Sequence, residues 1–207
     1  MKSRYVILIL LIFTSVAACG RGRSDQPFPI PAGLVQLCGD PALIGVVLPA
    51  IKPTGSACGI DRPVEVHFVS GVALNENPIL NCKTAKTLVT WVDEAAQPAV
   101  QSLRARITDL RVVSHYACRT RNSQRGARLS EHAKGNAIDI GAMTLSDGTV
   151  ISVKEHWRAP KFGPALHKMY SSACGMFGTT LGPDADRHHQ DHMHFDTADY
   201  RNGAYCR

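Results

Sequence analysis

Residues Ser130–Ile140 read SEHAKGNAIDI and set a histidine, His132, seven positions before an aspartate, Asp139. Gly135 and Ala137 between them are small, and AIDIGAM, from Ala137 to Met143, is apolar apart from that one carboxylate. The pattern predicts a tight turn that delivers the histidine, then a strand that carries the aspartate. A neutral imidazole and a carboxylate are two of the usual ligands of catalytic zinc, which takes three protein ligands and keeps a fourth position for water. A third ligand has to come from elsewhere in the chain.

The segment HHQDHMHFD, His188 to Asp196, supplies candidates: His188, His189, His192 and His194, with Asp191 and Asp196 beside them and Asp184 and Asp186 just before. If His192-Met193-His194 is extended, its two imidazoles point to one face, so one can bind metal while its neighbour reaches the metal's water. His67, His115, His156 and His167 have no such spacing and read as structural or exposed, and His188 as a solvated loop histidine.

Around these motifs VEVHFV (Val64 to Val69), LRVVSHY (Leu110 to Tyr116) and HMHFD (His192 to Asp196) read as strands. AIDIGAM, the Ser146-Asp147-Gly148 turn and TVISV (Thr149 to Val153) read as a hairpin. Apolar residues at Leu88, Val92, Ala95, Ala99 and Leu103 predict a helix from Thr84 to Ile107, which Pro98 should kink or divide. A second helix is expected from Phe162 to Ala173, stopped near Gly175. Trp91 and Trp157 read as core, although Trp157 could line a cleft. This order predicts a single α+β domain, a central, largely antiparallel sheet with flanking helices.

Lys2 and Arg4 precede an uncharged, mostly apolar run from Tyr5 to Ala18, too short to span a bilayer comfortably and typical of an export signal. Val16-Ala17-Ala18-Cys19 resembles a bacterial lipobox, which implies cleavage after residue 18, diacylation of Cys19 and a membrane anchor. Ordinary cleavage near Ala18 is the alternative. Gly20 after Cys19 resembles the signal for outer-membrane delivery, giving an expected location on the periplasmic side of the envelope. Residues 19–33, rich in Gly, Pro and polar side chains, read as a tether, and the folded unit as 34–207. Giving Cys19 to the lipid leaves six of the seven cysteines, an even set suited to three disulfides in an oxidising compartment. Cys174 with Cys206 is the preferred pair, since it ties the C-terminal end to the second helix. Loss of Lys2 and Arg4 lowers the formal charge from +6 to +4. The excess reads as spread along the chain, without the basic and aromatic interleaving of nucleic-acid modules, and suits an anionic wall polymer.

The pattern S-x-H-x-x-G-x-A-x-D followed by a late H-x-H is similar to that of the LAS peptidoglycan metallopeptidases, which group D-alanyl-D-alanine peptidases with lysostaphin-type enzymes. With Cys118-Arg119, a late Cys-x-x-Phe and a terminal Cys-Arg, the chain resembles the bacterial extensin-like C-terminal domain family over Leu34 to Arg207. The resemblance implies zinc held by His132, Asp139 and His194, with Ser130 fixing the loop or a ligand. It implies a general base at His192, favoured by its alternation with His194, or at Asp191, and a further active-site histidine at His189. Arg119, and more weakly Arg121, stands near the place of a substrate-holding arginine, although His115 replaces the glycine of the related S-G-Y-R stretch and Arg119 lies three residues after Tyr116. The expected activity is zinc-dependent hydrolysis of amide bonds in peptidoglycan stem peptides or cross-links, D-alanyl or meso-diaminopimelyl. The alternatives are a zinc-stabilised, non-catalytic wall- or protein-binding domain, and an enzyme that works only with a protein partner.

Overall fold

The computed structural model describes residues 29–53, 57–199 and 202–207. The leader, Cys19 and the tether up to residue 28 lie outside them. Eleven strands form one mixed sheet: β1 (Val35–Leu37), β2 (Asp40–Val47), β3 (Val64–Val69), β4 (Val72–Leu74), β5 (Ile79–Leu80), β6 (Ile107–Ser114), β7 (Ala137–Leu145), β8 (Val150–Ser152), β9 (Thr179–Leu181), β10 (Met193–Asp196) and β11 (Tyr205–Cys206). The spatial order is β1-β2-β3-β4-β6-β7-β10-β9-β11, with β5 on β3 and β8 on β7. Among the described residues only the β4/β6 and β9/β11 ladders are parallel. The helices are few: α1 (Cys82–Trp91), α2 (Gln97–Ala99), α3 (Val153–His156) and α4 (Gly163–Ala173). None in the described chain is long and apolar enough to cross a membrane.

The single long helix expected from Thr84 to Ile107 is instead a series of short pieces. Asn81 caps α1, its Oδ1 accepting the Thr84 N–H at 2.8 Å. Beyond Trp91 the chain widens to a π-helical turn over Val92–Ala96, then makes α2 and a 3₁₀ turn, and stops at Arg104 in the left-handed region, φ 56°. Pro98 has no N–H to donate four residues back, and the ladder widens just before it. Ile107 begins β6, its N–H and C=O both held by the Gln97 side chain. β6 therefore starts three residues before the expected strand and ends at Ser114, short of His115 and Tyr116. The hairpin of β7 and β8 forms at Asp147-Gly148, where Gly148 takes φ 83°.

Alternation along the central strands decides which face is core and which carries polar groups. On β10, Met193 and Phe195 point into the core while His194 and Asp196 point to the other face. On β7, Ile138 and Ile140 join the core and Asp139 faces away. Under the core face lie Leu88, Trp91, Leu166 and Met169 from α1 and α4, all fully buried. Trp91 donates its indole N–H to the Met169 carbonyl at 3.0 Å and packs on Phe195, centroids 5.1 Å apart. Phe195 also stacks on Phe177 at 4.9 Å; such ring pairs add about 0.5–1.5 kcal/mol each beyond burial.

Three disulfides pair all six cysteines of the described chain: Cys38–Cys82, Cys58–Cys118 and Cys174–Cys206. The last ties β11 to the end of α4, as expected. The first fastens α1 to the β1–β2 turn. The second fastens the long connection after β6 to residues 58–60, which themselves support the histidine turn described below.

Candidate metal centre

His132 sits on a single 3₁₀ turn, Glu131–Lys134, between β6 and β7. Ser130 opens the turn: its hydroxyl accepts the His132 N–H at 3.4 Å. Gly135 closes it at φ 66°, the conformation that only glycine adopts without strain. A Cβ at Gly135 would also run into Ile60 and come within 3.0 Å of the Asn81 nitrogen. The turn is held from outside by the Gly59 N–H on the Ala133 carbonyl and the Asn81 N–H on the Gly135 carbonyl, both at 2.9 Å. From Gly135 the chain runs straight into β7, where Ala137 is fully buried opposite Asp196 and Asp139 stands opposite His194.

This register brings His132, Asp139 and His194 together. One ligand atom from each lies within 4.8 Å of the others, and all three residues are buried. The Nε2 atom of His132 is 3.2 Å from Asp139 Oδ2, and Nδ1 of His194 is 2.8 Å from Asp139 Oδ1. Nδ1 of His132 lies 2.7 Å from the His115 carbonyl, which can only accept, so Nδ1 carries a proton; Nε2 faces Asp139 and, in the neutral ring, is the atom that can offer a lone pair to a metal. His194 is gripped from its far side, Nε2 lying 3.2 Å from Asp196 Oδ2. Two imidazoles and a carboxylate, each imidazole oriented by an acceptor behind it, fit a divalent metal of the zinc type.

The family model of the extensin-like protein C-terminus matches residues 44–207. The chain belongs to the extensin-like family. No curated protein and no solved structure matches it.

In this extensin-like domain two further histidines of the late cluster, His192 and His189, are likewise paired with carboxylates. His192 lies just before β10, yet its ring turns to the same face as His194, with Nε2 3.7 Å from Asp139 Oδ2. Its Nδ1 is 2.8 Å from Asp191 Oδ1. The two candidates for a base are thus one unit: Asp191 fixes the tautomer, and His192 presents Nε2 to the centre. His189, buried, bonds Asp186 Oδ1 at 2.8 Å, and its ring lies 5.2 Å from that of His192. His188 is exposed, as expected. Trp157 is core, with its N–H on Asp184 at 2.7 Å. Asp196, Asp186 and the His115 carbonyl have supporting roles that the sequence did not assign. Asp196 was open to detection, because a residue two beyond His194 on a strand shares its face. A main-chain carbonyl leaves no trace in residue identity.

Burial alone would raise the Asp139 carboxyl, but hydrogen bonds from His132 and His194 and their charges outweigh it and hold it well below the usual carboxylate range. Burial opposes a charge on His194, yet Asp139 and Asp196 push it up to about 9. His189 goes the other way: burial lowers it despite Asp186. The hydrogen bond from His192 lowers Asp191.

In metal-free protein His194 is therefore a proton-carrying bridge between two carboxylates. A raised folded-state pKa stabilises fully below the unfolded value of 6.5, and the contribution is lost as pH climbs through about 9. Chelated protein is expected to lose stability over this range, by up to roughly 3 kcal/mol. Calorimetric melting at pH 6 and pH 9.5 checks this; an unchanged melting temperature would mean that His194 does not hold that proton.

The three residues line a cavity of about 410 Å³, whose wall includes His189, His192, Arg119 and Arg121. The arginines belong to an arm, residues 118–130, with four arginines and no carboxylate. Its two limbs meet at Thr120 and Leu129, and the Arg121 N–H bonds the Arg128 carbonyl at 2.9 Å. Cys58–Cys118 anchors its base. Two of the four, Arg119 and Arg121, line the cavity of the candidate centre, where they stand beside Glu131, Asp139, Asp186 and Asp196.

Proposed function

We propose that the chain is a zinc-dependent peptidase that hydrolyses amide bonds in the stem peptides or cross-links of peptidoglycan, on the periplasmic side of the envelope, anchored through Cys19. The observation that carries this reading is the Asp191–His192 pair aimed at an incomplete ligand set. A structural zinc site is closed by four protein ligands, whereas a catalytic one has three and an open position. Among the described residues the cluster has three, on the wall of a cavity, with an oriented imidazole beside them. The S-x-H-x-x-G-x-A-x-D and H-x-H spacing shared with the LAS peptidases supports the same chemistry and a related fold. Three disulfides support export to an oxidising compartment.

His132, Asp139 and His194 would hold the ion. Bound zinc supplies a polarised carbonyl and a water acidified towards a pKa of about 7. His192, with Nδ1–H committed to Asp191, accepts a proton at Nε2 from the attacking water and returns it to the leaving amine. Asp191 stabilises the imidazolium formed between these steps. Arg119 contributes positive charge to the cavity wall, where negative charge develops on the carbonyl oxygen. His189 and Asp186 buttress the ring of His192.

Full-length protein, chelated and then reloaded with zinc, is expected to convert cross-linked muropeptide dimers to monomers or to shorten stem peptides, read by mass spectrometry. Intact muropeptides from folded, zinc-loaded protein would reject the peptidase reading and favour a wall- or protein-binding domain.

A further inference from the structure

Behind the arm lies a second cavity of about 550 Å³, which shares Arg121 and Glu131 with the candidate centre. It is lined by four cations, Lys83, Arg121, Arg128 and Lys134, and two carboxylates, Glu131 and Asp199. The carboxylates are already engaged. Lys83 holds Asp199 at 2.8 Å and also donates to the Thr197 carbonyl at 2.9 Å. Lys134 holds Glu131 at 3.1 Å, and Glu131 takes a second bond from Asn136 at 2.7 Å. Among the described residues Arg121 and Arg128 have no carboxylate partner, although they stand opposite one another across the arm and line the same groove.

Two guanidinium groups left without a counter-ion in a concave, polar groove form a receptor for a planar oxyanion, which each can grip through paired N–H donors. The lining is too polar for an apolar ligand: only Leu129 and Ala198 are hydrophobic. The two cavities adjoin, with Arg121 and Glu131 in the wall of each. We propose that this groove is a subsite for a carboxylate of the peptide substrate, gripped by Arg121 and Arg128 while the bond to be cut lies at the metal centre. The assignment rests on the peptidase reading and narrows its substrate to peptides bearing a free carboxylate beyond the scissile bond.

The test uses the full zinc-loaded chain and two sets of muropeptides, one with free carboxylates and one amidated at the same positions. Binding is read by calorimetry and turnover by mass spectrometry. The carboxylate form is expected to bind about tenfold more tightly than the amide, the value of one good charge-assisted contact. Arg128→Gln and Arg121→Gln should each bring that ratio close to one, and Arg128→Lys should restore part of it. Both arginine positions are exposed, so melting temperatures should match wild type. Equal affinity of wild type for the two forms, or a preference that survives both glutamine variants, overturns the subsite. Inorganic phosphate that displaces the peptide from wild type but not from Arg128→Gln supports an oxyanion receptor at this place. Phosphate or phosphorylated glycan binding tightly where the carboxylate peptide does not would overturn the peptide assignment. Because binding is measured without turnover, a preference without cleavage rejects the peptidase reading alone, and cleavage without preference rejects the subsite alone.

Discussion

Replacing His132 by alanine is expected to remove metal binding and activity together. The ring is buried, its Nδ1 is committed to the His115 carbonyl, and Nε2 faces Asp139 at 3.2 Å. Its loss leaves one imidazole and one carboxylate, too few to hold zinc at micromolar concentration, so metal content after dialysis should fall from about one equivalent towards zero and turnover by 10³-fold or more. Asp196→Asn probes the same centre from behind. It leaves the three ligands in place but weakens the acceptor on His194, and metal affinity should fall about 10- to 100-fold. Full metal content in His132→Ala would discard the ligand assignment.

His192→Ala should give the opposite separation. His192 lies outside the ligand set, so the variant is expected to keep its metal and lose turnover by about 10²- to 10⁴-fold, the range for a general acid–base group. Asp191→Asn should fall between it and wild type, because the amide still orients the ring but no longer stabilises its charged form. Measured as kcat with metal content determined in parallel, the pair separates two roles. If Asp191→Asn is as slow as His192→Ala, the two act as one unit. A His192→Ala variant that retains the wild-type rate would take the base role away from this ring.

How far the sequence carried this picture can be judged residue by residue. Val64–Val69 was legible to the residue, because apolar Val64, Val66, Phe68 and Val69 with polar Glu65 and His67 between them, bounded by Pro63 and Ser70-Gly71, leave little else. Of the triad, spacing made His132 and Asp139 legible as a pair and put His192 and His194 on one side of a strand; the choice of His194 as third ligand came from the family resemblance, not from geometry. The helix after Asn81 was misjudged because apolar spacing reports the buried face but not the ladder, and Pro98 acts on the ladder. β1, β2, β4, β5, β9 and β11 went unread; all but the eight-residue β2 have only two or three residues, too few for a period to show. The charged arm was overlooked for another reason. Arg121 and Arg128 are unremarkable in one dimension and come to line one groove only when Thr120 meets Leu129.

The position of β10 has a consequence for when the centre can exist. It is nearly the last strand in the chain, but it is inserted between β7 and β9 inside the sheet, and His194 reaches Asp139 across 55 residues. A polypeptide emerging from its N-terminus presents His132 and Asp139 early, yet no partial chain ending before residue 194 carries the full ligand set. Nor does the region between β7 and the C-terminal strands close until that insertion is made, an ordering step with a large loop-closure cost. Assembly of the triad is thus tied to completion of the fold, and a chain that stops short of residue 194 holds only two of its three members.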